Sequence, residues 1–272
     1  MGLTKPLIPV DQAPIDRAMM TRIIENVPAE MVLVGGQALA LWMIRYGIGP
    51  REKPEESFNA RVTADADFLG SLEQASRLAR ALSARIIKPD PRALTALVAQ
   101  IRIRMTSGLE HNIDVLHQIY DTGGLRASVE LTRRAKSRAA LAVTESGKQI
   151  RILHPLDVLA SRIHNAAGLT QSKGAHVLTQ ARWGIKVARV AVERVVTAED
   201  HTTERPGALA REIERLASSR AGRNAYAAHA IETAEAIPFN LLLEKVDGFA
   251  KQRAAILRSL HKQGRMRHLP IG

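Results

Sequence analysis

Met31-Val32-Leu33-Val34-Gly35-Gly36-Gln37-Ala38-Leu39-Ala40-Leu41-Trp42 is the stretch from which the rest of the chain is read. Four apolar residues, two of them β-branched valines, suit a short buried strand. Gly35-Gly36 breaks it, and the run from Gln37 to Trp42 consists largely of strong helix formers. A strand that turns through glycine into a helix leaves free backbone N–H groups at the helix N-terminus, where the dipole favours anions and phosphate can be held. Gly-Gly after an apolar strand also serves as a plain turn, so the motif needs company.

It has company in Arg61-Val62-Thr63-Ala64-Asp65-Ala66-Asp67-Phe68. Strand alternation puts Thr63, Asp65 and Asp67 on one face and Val62, Ala64, Ala66 and Phe68 on the other. Carboxylates two apart on a strand lie roughly 6.5–7 Å apart at Cα. Their side chains can converge on divalent cations about 3.5–4 Å apart, the two-metal arrangement of phosphoryl transfer. A third acid, Asp114, stands among apolar residues in Asn112-Ile113-Asp114-Val115-Leu116. An unpaired charge in such a strand is costly, and a cation shared with Asp65 and Asp67 would resolve that cost. An Asp-x-Asp pair on the wet face of a strand is the plainer alternative. The order of cradle, dyad and third acid favours nucleotidyl transfer over it.

On these residues the chain resembles the minimal nucleotidyltransferases related to DNA polymerase β. The form Arg61-x-Thr63-x-Asp65-x-Asp67 is similar to the AbiEii-type branch, which includes toxins of type IV toxin–antitoxin systems. The resemblance covers roughly residues 30 to 170 and rests on few positions. It implies an α+β fold: a mixed β-sheet palm with flanking helices, followed by an all-α helical domain. It implies transfer of a nucleoside monophosphate from an NTP to an acceptor hydroxyl of RNA (tRNA included) or protein, with Mg2+ or Mn2+ as cofactor and pyrophosphate leaving. Asp65, Asp67 and Asp114 would be the catalytic and metal-binding set. Gly35, Gly36, Gln37, Arg61, Thr63 and Arg162 would contact the nucleotide. A cognate antitoxin is a further implied partner.

Three positions depart from the family pattern. Gln37 stands where many relatives carry a small hydroxyl residue. About 28 residues separate Gly36 from Asp65, so the segment from Gly47 to Ala60 reads as an inserted loop. Leu159-Ala160-Ser161-Arg162 occupies the helix where the AbiEii-type branch often has a nucleotide-contacting Lys, and no Lys-Asp pair follows it. An Arg is not equivalent to a Lys as a point charge on phosphate.

Composition bounds the remaining possibilities. The chain of 272 residues suits one large or two modest domains, and 46% hydrophobic residues indicate a packed core. We place the boundary at His154-Pro155, giving a nucleotidyltransferase-like domain over 1–153 and a helical domain with a basic tail over 154–272. A net charge of +12 points to a polyanionic partner such as nucleic acid. With only 3% aromatic residues, a surface of stacked rings for single strands is not expected. No cysteine is present, which excludes disulfides and thiolate chemistry. No apolar run approaches membrane-spanning length, and the expected location is the cytoplasm.

Along the chain, helical spacing appears over 12–27, a capping box opens at Ser71, and strands are expected near 98–105, 111–117, 139–144 and 149–153. Helices follow from Pro155, near 207–219 and 223–236, and in one last segment from Leu242 to Leu260. Between them, a helix with Val177, Ala181, Ile185, Ala188 and Val192 on one side carries Arg182, Lys186 and Arg189 on the other. That stripe is either a solvated face or a track for an acceptor's phosphates. The tail adds Lys251, Arg253, Arg258, Lys262, Arg265 and Arg267, with no acid after Asp247. The nine histidines show no metal-ligand spacing. A catalytically inactive module of the same fold, binding nucleic acid or a protein, is the alternative to the enzyme.

Overall fold

The computed structural model describes residues 12–49, 65–144, 146–199 and 203–271. Arg61 and Thr63, and most of the expected inserted loop, lie outside them. The described residues divide into two compact units: 12–38, 65–119 and 136–153 form a sheet unit, and 39–49, 120–135 and 154–271 form a helical unit. The architecture is α+β.

The sheet unit holds seven strands: β1 (Val32–Val34), β2 (Ala66–Leu69), β3 (Arg85–Ile87), β4 (Leu97–Arg104), β5 (Glu110–Leu116), β6 (Ala140–Val143) and β7 (Gln149–Ile152). They lie in the order β3-β4-β5-β2-β1-β7-β6. The β2–β5 and β1–β7 pairs are parallel and the other four are antiparallel. The short apolar β1 is buried at all three positions, as suits a strand in the middle of the sheet. The β4–β5 hairpin closes through Gly108, whose φ of +87° suits a residue without a side chain. Met105 N–H donates to the Leu109 carbonyl across this turn at 2.8 Å, and Arg104 pairs with Glu110.

Helix α1 (Arg17–Asn26) starts at an Asp16 cap, whose side chain accepts from Met19 N–H. Helix α3 (Leu72–Ala81) starts with the expected capping box: Ser71 Oγ accepts from Gln74 N–H at 3.2 Å, and Gln74 Oε1 accepts from Ser71 N–H at 2.8 Å. Its Ala75, Leu78 and Ala79 are buried, and the helix packs on β3 and β4. Helix α2 (Gly35–Arg45) begins in the sheet unit and continues into the helical one.

In the helical unit, α4 (Leu125–Ser137) begins just after Gly123-Gly124, and its first eleven residues belong to this unit. Helix α5 (Pro155–Gly168) is buried at every position from Pro155 to Ala166, so it forms the centre of the unit. After one turn of helix (α6, Thr170–Lys173) comes α7 (His176–Val196), which packs on α5 where Gly184 faces Leu159 and Arg162. A Cβ on Gly184 would stand 3.6 Å from the Leu159 Cα, an ordinary packing distance, so the two helices approach closely here. Then follow α8 (Pro206–Ser218), α9 (Arg220–His229), a 3-10 turn (Thr233–Ala236), α10 (Phe239–Lys245) and α11 (Phe249–His261). One apolar core joins Leu159, Ile163, Ala188, Ile213, Leu242 and Leu257.

Two expected helices are each divided. Ala230, at φ 52°, ends α9 in the left-handed region, so the expected 223–236 segment becomes a helix and a 3-10 turn. Gly248, at φ 72°, separates α10 from α11 inside the expected final helix. Helix α4 and the three-residue β3 were not expected from the sequence. No helix among the described residues is long and apolar enough to cross a membrane.

Candidate metal centre

Register brings the acids together. Val34, the last residue of β1, pairs with Asp67, and Asp67 pairs with Asp114 on the parallel β5. Adjacent strands lie about 4.8 Å apart, so the two carboxylates leave neighbouring positions on one sheet face. Asp65 precedes β2 by one residue, so the regular strand begins just after it. Each of the three offers an oxygen within 4.8 Å of the others, and all three residues are half-buried.

The glycine bend completes this corner. Gly35 has φ +67°, which costs a residue with a Cβ about 1–2 kcal/mol. A Cβ there would also lie 1.9 Å from Asp67 Oδ2. Glycine at 35 is therefore what lets the backbone turn into α2 directly beside the Asp67 carboxylate. Gln37, in the first turn of α2, is buried.

Three carboxylates this close repel one another when ionised. An all-oxygen, anionic donor set of this kind suits a hard divalent cation, and its chemistry fits Mg2+ or Mn2+ better than a soft metal. The residues present thus fit the implied group, although the set does not select one ion.

Sequence reasoning missed a neighbour of this centre. Gln100 on β4 pairs in register with Asp114. Its Nε2 donates to Asp114 Oδ1 at 2.9 Å, and its Oε1 accepts from Arg102 Nε at 2.7 Å. Arg102 in turn reaches Glu110 at 3.4 Å. A signal existed in the sequence. Once Gly108 is recognised as the hairpin turn, counting back from Arg104 opposite Glu110 sets Gln100 opposite Asp114.

The other candidate residues among those described lie in the helical unit. Arg162 is buried on α5, where its guanidinium donates to Gln180 Oε1 at 2.7 Å and Ser161 Oγ at 3.1 Å. Arg182, Lys186 and Arg189 are exposed on α7, as the stripe predicts. Each is also engaged locally. Arg182 donates to the His229 carbonyl, Lys186 stands 4.4 Å from the Trp183 ring centroid, and Arg189 bonds Glu193 at 3.0 Å. In the basic tail Arg265 differs from the exposed cations around it: it is 1% exposed and ion-paired with Glu232. A cavity of about 490 Å³ also opens in this unit, lined by Leu131, Arg134, Leu159, His164, Glu212 and Leu216 among others.

No protein-family model matches the chain, and no curated protein matches it. Among solved structures it is similar to a "putative nucleotidyltransferase from H. pylori", at 14% identity and a TM-score of 0.38, over 82% of this chain and 90% of that one.

Proposed function

We propose that the chain is a metal-dependent nucleotidyltransferase that moves an NMP from an NTP to an acceptor hydroxyl on RNA or protein. The observation that carries this reading is the convergence of Asp65, Asp67 and Asp114 beside the Gly35 bend that opens α2. In the reaction the acceptor oxygen bonds to the α-phosphorus, the α–β phosphoanhydride breaks, and pyrophosphate leaves. A bound Mg2+ or Mn2+ would supply charge neutralisation on the phosphates and a lowered pKa for the acceptor hydroxyl.

The chain's own residues have these assigned roles. Asp65, Asp67 and Asp114 would together hold the divalent cation, and Asp114 can also receive the hydroxyl proton. Backbone N–H groups at Gly35 and Gly36 donate to the triphosphate oxygens at the positive end of α2. Gln37 adds a hydrogen bond there. Arg61 and Arg162 are assigned to phosphate contacts, and Thr63 to orienting the dyad. Arg182, Lys186 and Arg189 are assigned to the acceptor's phosphates. The sequence pattern Arg61-x-Thr63-x-Asp65-x-Asp67 supports an AbiEii-type toxin with a cognate antitoxin as the biological setting.

The test is to incubate the full chain with each α-labelled NTP, Mg2+ and either total RNA or total protein, and ask which pool acquires label. Label is expected in one pool, dependent on the cation. It should fall by about 10³-fold in Asp67→Asn, since metal charge stabilisation is worth several kcal/mol and each ~1.4 kcal/mol is tenfold. Transfer by Asp65→Asn and Asp67→Asn at the wild-type rate would reject the assigned site. Cation-dependent NTP binding without label in either pool would favour the inactive binding module.

A further inference from the structure

We propose that Gln100 is a positioning residue for Asp114, and that Arg102 sets the direction in which Gln100 faces. The proposal rests on reading Asp65, Asp67 and Asp114 as the metal centre. The β4–β5 register places Gln100 directly across from Asp114 and Arg102 across from Asn112. Alternation puts Gln100 and Arg102 on one face of β4, toward the polar face of β5.

The hydrogen-bond chemistry admits one orientation of the Gln100 amide. A guanidinium only donates and an ionised carboxylate only accepts. With Arg102 Nε at 2.7 Å on one side and Asp114 Oδ1 at 2.9 Å on the other, the amide oxygen must face Arg102 and the NH2 must face Asp114. A flipped amide would set donor against donor and acceptor against acceptor. Arg102 is itself held by Glu110 at 3.4 Å, and both partners of that pair are about three-quarters covered, at 23% and 22% exposed. Arg85 also reaches Glu110, at 3.2 Å, but its side chain is 63% exposed, so water and salt weaken that outer link.

The result is a relay, Glu110 to Arg102 to Gln100 to Asp114, across two adjacent strands. Terminal carboxylate torsions are broad, so each bond that Asp114 accepts restricts its rotation. The Gln100 bond narrows them and keeps an Asp114 oxygen within 4.8 Å of those of Asp65 and Asp67. Removing an outer-shell partner that orients a metal ligand typically costs 10–100-fold in metal affinity.

The test uses the full chain without nucleotide, titrated with Mn2+ and read as free ion by electron paramagnetic resonance. The thermal midpoint of the metal-free protein is measured alongside. Gln100→Leu is expected to weaken Mn2+ binding by about 10–100-fold, with a midpoint close to wild type. Arg102→Met should weaken it less, in the same direction, and the double variant should be no worse than Gln100→Leu alone. Asp114→Asn is the reference for loss of the ligand itself. If wild type takes up no Mn2+ at millimolar concentration, the metal centre and this proposal both fall. If Asp114→Asn loses Mn2+ while Gln100→Leu binds as wild type does, the positioning role alone is overturned. Losses that add in the double variant would overturn the part assigned to Arg102. Should Gln100→Leu fail to fold, Arg102→Met decides the question: wild-type Mn2+ affinity there counts against the relay.

Discussion

The buried acids of the helical unit and the three acids of the metal corner in the sheet unit are arranged in opposite ways. In the helical unit, buried acids sit against arginines: Glu232 with Arg265, both nearly inaccessible, and the fully buried Asp157 with Arg134 at 2.6 Å. In the sheet unit, Asp65, Asp67 and Asp114 are gathered against one another. Pairing satisfies a buried charge inside the fold. Gathering concentrates negative charge at one point, which a fold selected for stability alone would avoid. The difference separates acids paired with arginine inside the fold from acids gathered where a divalent cation could be held, and substitutions should divide the same way.

The largest effect is expected where the pairing is most buried. Arg265→Met strands the Glu232 carboxylate and also removes a donor to the Ala217 carbonyl. Breaking such a pair from one side costs about 3–5 kcal/mol, read as a lowered urea midpoint. Mn2+ uptake by the folded fraction should be unchanged. At the corner of the sheet unit, Gly35→Ala should cost about 1–2 kcal/mol from the left-handed backbone alone. There the metal affinity should also drop, because the new methyl overlaps the position of Asp67 Oδ2. Asp67→Asn should go the other way: without metal, relief of like-charge repulsion raises stability by about 0.2–1 kcal/mol. A destabilised metal-free Asp67→Asn would mean that this acid too is a structural partner, and the contrast would collapse.

Much of this centre could be read from the sequence, because it depends on local rules. Period-two alternation marks Asp67 against Ala66 and Phe68, and Gly35-Gly36 marks the turn into α2. The capping box at Ser71 and Pro155 at the first turn of α5 likewise place two helix starts. What escaped depends on pairing between distant segments. Nothing local tells that β2 runs parallel to β5, so that Asp67 and Asp114 share a register, or that Gln100 completes the set. Helix α4 was missed because Arg126, Glu130, Arg133 and Arg134 make it strongly polar, with only Ser128, Leu131, Thr132 and Ala135 buried. The apolar spacing of the final segment continues across Gly248 as one helix would, but the backbone does not. Arg265 looked like one more tail cation, since its acid, Glu232, is 33 residues away.

The smallest expected effect concerns a histidine that belongs to the paired region yet resists carrying charge. His164, on α5, accepts from Thr122 N–H through Nδ1 at 3.2 Å, so Nε2 carries the proton and faces Asp121 at 3.2 Å. Burial pushes its pKa below the ordinary value of 6.5, Asp121 opposes that shift, and Arg134 adds to it. The sign follows from proton counting. Between the lowered folded value and 6.5 the unfolded chain binds the proton more readily, so unfolding takes up protons and stability rises with pH. The contribution is fully present above 6.5 and is lost as pH falls through the folded value. His164→Gln keeps a donor and an acceptor but does not titrate. The stability difference between wild type and this variant should therefore be constant above about pH 7 and move against wild type as the pH falls below about 6.5. Parallel thermal midpoints across that range would show that His164 takes up its proton equally well in the folded chain. It would then belong with the ordinary charge pairs of the helical unit and not with its neutral buried contacts.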